Sequence, residues 1–296
     1  MITIGLPVYN CEQELIDTLK SIFSQTYEDW ELIAIDDGST DRSLDILMSI
    51  NDPRVKVIHD GNNKKLAARL NEINERSSRE YILRMDSGDM CSPRRVEAQL
   101  DLIKNNDYNI VSSEMAVIDS KNNVLNLRRA PEHPITLENY LRYGSTICHP
   151  TILTRASWSK KNLYAIKNKR TEDYELWLRS IAEGVLDDKV HKKLNAPLYF
   201  YRDDSNVKTT QLDISFKERN ELLKQYSNDI LHSNEVSQLM MKNAFKKATL
   251  KMLSTLGLYG KFKKKKKKNK QGDLEQLRIV KKELDIIDKT KIPGIN

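Results

Sequence analysis

The chain has 296 residues, 39% hydrophobic and 31% charged. That length can bury a full core, and that composition excludes wholesale disorder. No run reaches the roughly 18 consecutive apolar residues of a membrane-spanning helix. The formal charge of +7 is local: residues 261–270 hold eight lysines and no acid, which leaves the rest of the chain at −1. A near-neutral body argues against a fold whose whole face grips nucleic acid, so no nucleic-acid partner is expected. Cys11, Cys91 and Cys148 are far apart and form no C-x-x-C pair, which fits a reducing, cytoplasmic setting. Met1–Pro7 carries no basic leader segment, so no secretory signal is expected.

The first half alternates strand and helix. Ile2–Leu6 is a short apolar strand, and Leu15, Ile16, Leu19, Ile22 and Phe23 recur at helical spacing within 12–26. Leu32–Ile35 is a second strand, ending at the turn formers Asp36-Asp37-Gly38-Ser39. Leu44, Ile46, Leu47 and Ile50 suggest a second helix, Val55–Ile58 a third strand and Leu66–Ile73 a third helix. Tyr81–Leu83 is a fourth strand, ending at Asp86-Ser87-Gly88-Asp89, and Ser92-Pro93 reads as a cap opening a helix to about Ile103. Such alternation with continuous apolar strands predicts a mainly parallel sheet covered on both faces. Beyond it, 109–118 and 124–129 read as strands about an Asn122-Asn123 turn, Glu172 to about Ala182 as a helix, and Leu198–Arg202 as a strand. From about residue 213 only helical patterns follow. The expected division is a catalytic domain at 1–208 and a helical extension at 209–296, with the boundary within 205–212.

Ligands of parallel sheets collect at the carboxyl ends of the strands. Both acidic clusters, Asp36-Asp37 and Asp86 with Asp89, fall at such ends. Each has an ordinary reading as a turn, with Asp41 capping a helix in the first. Each also has a functional one. A carboxylate at a strand end accepts hydrogen bonds from a base or ribose, and two carboxylates can hold Mg²⁺ or Mn²⁺ against a diphosphate. Thr171-Glu172-Asp173 opens a helix, where Thr is an ordinary N-cap and acids suit the helix dipole. Its functional reading makes one carboxylate a general base for a hydroxyl. Lys64, Lys65, Arg69 and Arg84 lie close in sequence to these turns, and Arg84 interrupts the strand leading to Asp86. There is no G-x-G-x-x-G, H-E-x-x-H or G-x-S-x-G, and Gly257-Leu258-Tyr259-Gly260-Lys261 lacks P-loop spacing.

In their order along residues 1–205, these segments resemble the family 2 glycosyltransferases. Ile4–Asn10, Ser21–Tyr27, Trp30–Asp41, Leu66–Asn71, Glu80–Asp86, Thr171–Leu178 and Pro197–Arg202 carry the likeness. The resemblance implies the GT-A α/β fold that binds nucleotide sugars. It implies Pro7, Tyr9, Asp37, Arg69 and Arg84 at the nucleotide, Asp86 and Asp89 on a divalent cation (Mn²⁺ or Mg²⁺), Asp173 as general base and Glu172 beside the acceptor. The implied reaction is inverting transfer from a nucleotide sugar, of the uridine kind, to a glycan or lipid-linked glycan acceptor. Two positions depart from the family pattern: Gly88 stands where a metal-turn carboxylate is usual, and Asp203-Asp204 follow Tyr201-Arg202 where a histidine often occurs.

In the tail, Met241, Phe245, Ala248, Met252 and Leu256 share one helical face flanked by Lys242, Lys246, Lys247 and Lys251. That face, with the lysine run, suits an anionic membrane surface through 236–270 and a peripheral place on the inner face of the cytoplasmic membrane. Leu239, Leu250 and Leu253 fall off that face and suit a helix packed on the domain. Residues 273–289 read as a last charged helix. The competing readings are a sugar-nucleotide pyrophosphorylase, for which Pro7-Val8-Tyr9-Asn10 is the wrong N-terminal loop, and a non-catalytic nucleotide-sugar-binding or basic-tail interaction protein.

Overall fold

The computed structural model describes residues 1–203, 209–228, 230–258 and 271–295. The lysine run and the first half of the expected boundary segment, 205–208, lie outside the described residues. The first four strands are β1 (Ile2–Val8), β2 (Trp30–Asp36), β3 (Val55–His59) and β4 (Tyr81–Arg84), joined through α1 (Leu15–Phe23), α2 (Ser43–Met48) and α3 (Leu66–Arg76). The order β3-β2-β1-β4 is parallel throughout. β1 and β2 are buried along their whole length, as continuous apolar strands between two layers must be. Gly5 in β1 has a packing reason: a Cβ there would stand 2.5 Å from the Ile73 side chain, so glycine lets α3 settle on the sheet.

The second half of the sheet is mixed. It contains β5 (Met90–Cys91), β6 (Ile110–Ile118), β7 (Val124–Arg128), β8 (Leu153–Arg155) and β9 (His191–Arg202), with α4 (Arg95–Lys104), α5 (Leu137–Tyr143), α6 (Ala156–Lys161) and α7 (Glu172–Ala182). The order continues β4-β8-β6-β9-β5, with β7 on β6. β8 runs antiparallel to both β4 and β6, and β6 and β9 are parallel. The parallel expectation therefore describes β1 to β4, while the three-residue β8 reverses direction through long-range pairing that no local pattern announces. Ser92 starts its helix later than expected: its Oγ accepts from Arg94 N at 3.2 Å, and α4 opens at Arg95.

Among the described residues α8 (Thr209–Tyr226), α9 (Ser233–Thr255) and α10 (Gln271–Lys289) follow. Leu222 and Leu223 of α8 are buried in one cluster with Tyr140, Tyr174 and Trp177 of α5 and α7. Val236, Leu239 and Met240 pack against that cluster, whereas Met241, Phe245, Met252 and Leu256 remain exposed. One face of α9 thus packs on the domain, while the opposite apolar face stays exposed. Val280, Leu284 and Ile287 of α10 close a separate cluster over Phe200 and Ala116, backed by Arg94–Glu283 and Arg129–Asp273 ion pairs at 2.9 Å.

Candidate active site

Asp37 follows β2 and is buried. Its Oδ1 accepts from Lys64 N at 2.7 Å and Arg69 Nε at 2.8 Å, and its Oδ2 from Lys65 N at 3.0 Å. Lys65 sits at φ 73°, so the loop before α3 is bent around this carboxylate. Arg69 has no solvent exposure, and its remaining nitrogens reach Asp60, Glu72 and the Asn62 carbonyl. The arginine lies beneath the strand ends and holds Asp37. Asp36 caps the turn through Oδ2, accepting from Gly38 N and Ser39 N, and its buried Oδ1 has no partner. Tyr9 is half exposed at the end of β1, and Pro7 is buried within that strand.

The turn after β4 is pinned from three sides. Thr18 Oγ1 accepts from Gly88 N at 3.0 Å and donates to the Asp89 carbonyl at 2.7 Å. Arg202 Nε donates to the Gly88 carbonyl at 2.8 Å and also reaches Asp17. Asp89 points inward: Tyr199 Oη donates to Oδ2 and Arg202 N to Oδ1, both at 2.7 Å. Burial and the nearby Asp86 charge push the Asp89 carboxyl up to about 7. Asp86 is more open, its side chain 30% exposed, and it pairs with Arg84 Nε at 2.9 Å.

Arg84 links this turn to the start of α7. It is buried, and beyond Asp86 it contacts both ring nitrogens of His149. His149 Nε2 also lies 2.8 Å from Tyr164 Oη, and Nδ1 lies 4.0 Å from Asp173 Oδ2. Burial, then the Arg84 charge, hold His149 well below its ordinary pKa, so it is neutral at pH 7. The Asp173 side chain is 44% exposed. The surrounding protein nonetheless raises its pKa above the ordinary carboxylate value, with the Tyr174 backbone and Arg84 opposing. Burial and Asp173 likewise raise Glu172, whose Oε2 is buried without a partner. Thr171 occupies the N-cap position but does not cap. Its hydroxyl donates to Glu218 Oε2 of α8 at 2.9 Å, and the same carboxylate accepts from Lys169 N and Arg170 N.

Arg84, Asp86, His149 and Asp173 therefore belong to one cluster. Asp37 and Arg69 form a second at the neighbouring strand end. Asp89 anchors the turn rather than facing outward. His149, Tyr164 and the α8 acid Glu218 had no signal in the sequence, because each acts through a partner at least 15 residues away.

A parallel half-sheet with acidic strand ends, beside a helix whose first turn carries carboxylates, is the arrangement of a GT-A sugar transferase. The family profile described as glycosyl transferase family 2 matches residues 3–163. The chain is 35% identical over 213 residues to a Bacillus subtilis (strain 168) protein bearing the name glycosyltransferase EpsE, covering 70% of this chain and 74% of that one. It is 26% identical over 184 residues to an Escherichia coli protein, WfgD, named UDP-Glc:alpha-D-GlcNAc-diphosphoundecaprenol beta-1,3-glucosyltransferase, covering 62% of this chain and 71% of that one. Among solved structures, S. aureus TarS 1–349 in complex with UDP-GlcNAc superposes with a TM-score of 0.61 at 16% identity, over 97% of this chain and 81% of that one. The same fragment with UDP gives 0.58 at 18% identity, over 82% and 70%. The protein belongs to glycosyl transferase family 2.

Proposed function

We propose that this protein is an inverting transferase moving a sugar from a uridine diphosphate donor to a hydroxyl of a lipid-linked bacterial polysaccharide precursor. The observation that carries the reading is the Arg84–His149–Asp173 cluster, which joins an open carboxylate at the strand ends to a half-exposed carboxylate at a helix start. The donor class is supported by the UDP and UDP-GlcNAc bound in the TarS structures and by the UDP-Glc in the WfgD name. The acceptor class is supported by the diphosphoundecaprenol in the same name.

In this reading Asp37 and Tyr9 receive the nucleoside, and Arg69 positions Asp37 from beneath. Asp173 accepts the proton of the acceptor hydroxyl. The hydroxyl oxygen bonds to the anomeric carbon from the face opposite the leaving group. The bond to the diphosphate oxygen breaks, and its electron pair leaves with the nucleoside diphosphate. Arg84 supplies fixed positive charge near both ends of that displacement. Glu172 lines the acceptor side.

A divalent cation fits here only as a shared ligand. Among the described residues no three potential ligand side chains cluster, both Asp89 oxygens are engaged, and Gly88 offers none. Asp86 would contribute the protein carboxylate and the donor's phosphates the rest, as Mg²⁺ commonly arranges. When bound, the ion would offset charge on the departing diphosphate.

The division at 1–208 and 209–296 is retained as catalytic and membrane-facing parts. Among the described residues no helix is long and apolar enough to cross a membrane. Exposed Met241, Phe245, Met252 and Leu256, with Lys242 and Lys246 beside them, support peripheral binding to an anionic inner leaflet. The deciding experiment titrates a panel of nucleotide sugars with and without Mn²⁺, against wild type and Asp173→Asn. Binding of a uridine sugar by both proteins, with slow turnover by wild type alone, supports the reading; absence of binding to every nucleotide sugar ends it.

A further inference from the structure

A second cavity adjoins the start of α7. It is a groove of about 420 Å³ between α5, α7, α8 and α9, within the size range of small-molecule sites. Tyr174, the residue after Asp173, lines it. The Tyr174 hydroxyl is tied to the Tyr140 carbonyl at 3.1 Å, and the Arg219 guanidinium covers its ring at 4.5 Å. Arg219 also lines the groove, and its charge acts on Asp173. The wall supplied by α9 alternates two chemistries. Leu239 and Leu250 give apolar surface, while Lys242 and Lys246 are exposed cations. At the rim stands Phe245, 77% exposed and on the same face as Met241, Met252 and Leu256.

The lining thus brings together apolar side chains of α9, the cations Arg219, Lys242 and Lys246, and the residue beside the proposed base. An apolar tail alone would not call for Arg219, Lys242 and Lys246, and a free anion would not call for Leu239, Phe245 and Leu250. We propose that this groove is the acceptor subsite, taking a glycan whose reducing end is a diphosphate on a long hydrocarbon chain. The chain lies along Phe245 and Leu250, the diphosphate meets Arg219, Lys242 and Lys246, and the sugar extends toward Asp173. This rests on the transferase reading above and adds to it the place and chemistry of acceptor recognition.

The test uses the full chain and a water-soluble probe, farnesyl diphosphate, titrated calorimetrically beside farnesol, inorganic diphosphate and UDP. Farnesyl diphosphate is expected to bind at least tenfold tighter than either farnesol or inorganic diphosphate, because only it satisfies both chemistries. The double reversal Lys242→Glu with Lys246→Glu is expected to weaken it at least tenfold and leave UDP affinity within twofold. Both lysines are exposed on α9; thermal unfolding checks that the variant keeps its fold, and the wild-type comparison of the three probes stands without any variant. Equal binding of farnesyl diphosphate and inorganic diphosphate, or an unchanged affinity in the double variant, overturns the subsite. Loss of UDP binding in wild type while farnesyl diphosphate still binds would instead overturn the transferase reading and leave the groove standing.

Discussion

Arg69 Nε and Asp37 Oδ1 meet at 2.8 Å with the arginine side chain wholly out of solvent. The same guanidinium holds Asp60 at 2.7 Å and Glu72 at 2.8 Å, so three carboxylates share one buried cation, with Lys64 also on Asp60 and Arg76 also on Glu72. The Arg69 guanidinium holds the Asp60 carboxyl well below its ordinary pKa, and against the opposing effect of burial the three carboxylates hold Arg69 above its own. Removing one partner of a buried pair leaves an uncompensated charge, which typically costs about 3–5 kcal/mol. Arg69→Met should therefore destabilise the fold by that order and abolish UDP binding. Arg69→Lys should fall between, since it keeps the charge but loses the planar fork. Urea denaturation with UDP titration measures both, and a Met variant within 1 kcal/mol of wild type would refute the arrangement.

For Asp173 the sign of the pH dependence follows from its surroundings. Its pKa is raised above the ordinary carboxylate value of 3.8, chiefly because the protein around it displaces hydrating water. A general base must be deprotonated to act, so transfer should fall as pH falls through that raised value, earlier than an unperturbed aspartate would allow. Asp173→Asn should lower kcat by at least about a hundredfold, the scale of general base catalysis, with donor affinity within twofold. A kcat/KM profile that stays flat down to pH 4 would speak against Asp173 as the base.

The strand-helix order from β1 to β4 was legible because it rests on local patterns: apolar runs, helical spacing and turn formers at strand ends. The acidic loops were legible for the same reason, since Asp36-Asp37 and Asp86 punctuate apolar strands. What escaped the sequence is held by distant partners. β8 has three residues and exists through pairing with β4 and β6. His149 becomes part of the site only because Arg84, 65 positions earlier, reaches it. Asp89 looked equivalent to Asp86 in the chain, yet Tyr199 and Arg202 of β9 turn it inward. α9 carries two apolar faces, and only packing on α8 decides which one stays exposed.

Gly88 takes φ of 99°, and a Cβ there would meet Cys11 Sγ at an ordinary 3.5 Å. The obstacle to a side chain is therefore backbone strain, not space. Gly88→Asp should destabilise the protein by about 1–3 kcal/mol through that strain. The added carboxylate should not raise Mn²⁺ affinity for the free protein more than severalfold, because the turn is fixed by Thr18 and Arg202. Thermal unfolding and Mn²⁺ titration check both parts, and unchanged stability with much tighter Mn²⁺ binding would show the turn to be pliable.

Asp89 makes the stability itself pH-dependent. Its pKa stands at about 7 in the fold against an ordinary 3.8. Between those values the folded protein holds a proton that the unfolded chain has released, so this group costs increasing stability as pH rises through the window and no more above it. Asp89→Asn removes the titration. Its amide can keep both contacts, with the oxygen accepting from Arg202 N and the nitrogen donating to the Tyr199 oxygen. Wild type should therefore lose more than about 1 kcal/mol relative to Asp89→Asn between pH 4.5 and pH 7, one pKa unit being worth about 1.4 kcal/mol. A difference that does not change with pH would show that Asp89 is ionised throughout.

The tail predicts a salt-sensitive membrane contact with two separable parts. Met241 and Phe245 are 68% and 77% exposed on one face, and eight lysines follow within residues 261–270. The lysine contribution is screened by salt, since the Debye length shortens from about 10 Å at 0.1 M to about 3 Å at 1 M. The apolar contribution is not. Full-length protein should therefore float with anionic vesicles at 0.1 M salt and largely release at 1 M. Deleting 261–270 should remove most of the salt dependence, whereas Met241→Asp with Phe245→Asp should weaken binding at both salt concentrations. RNA of matched charge concentration separates the alternative: if RNA displaces the protein from vesicles and binds it equally tightly, the lysine run is a general polyanion site, and the apolar face of α9 has no part in membrane attachment.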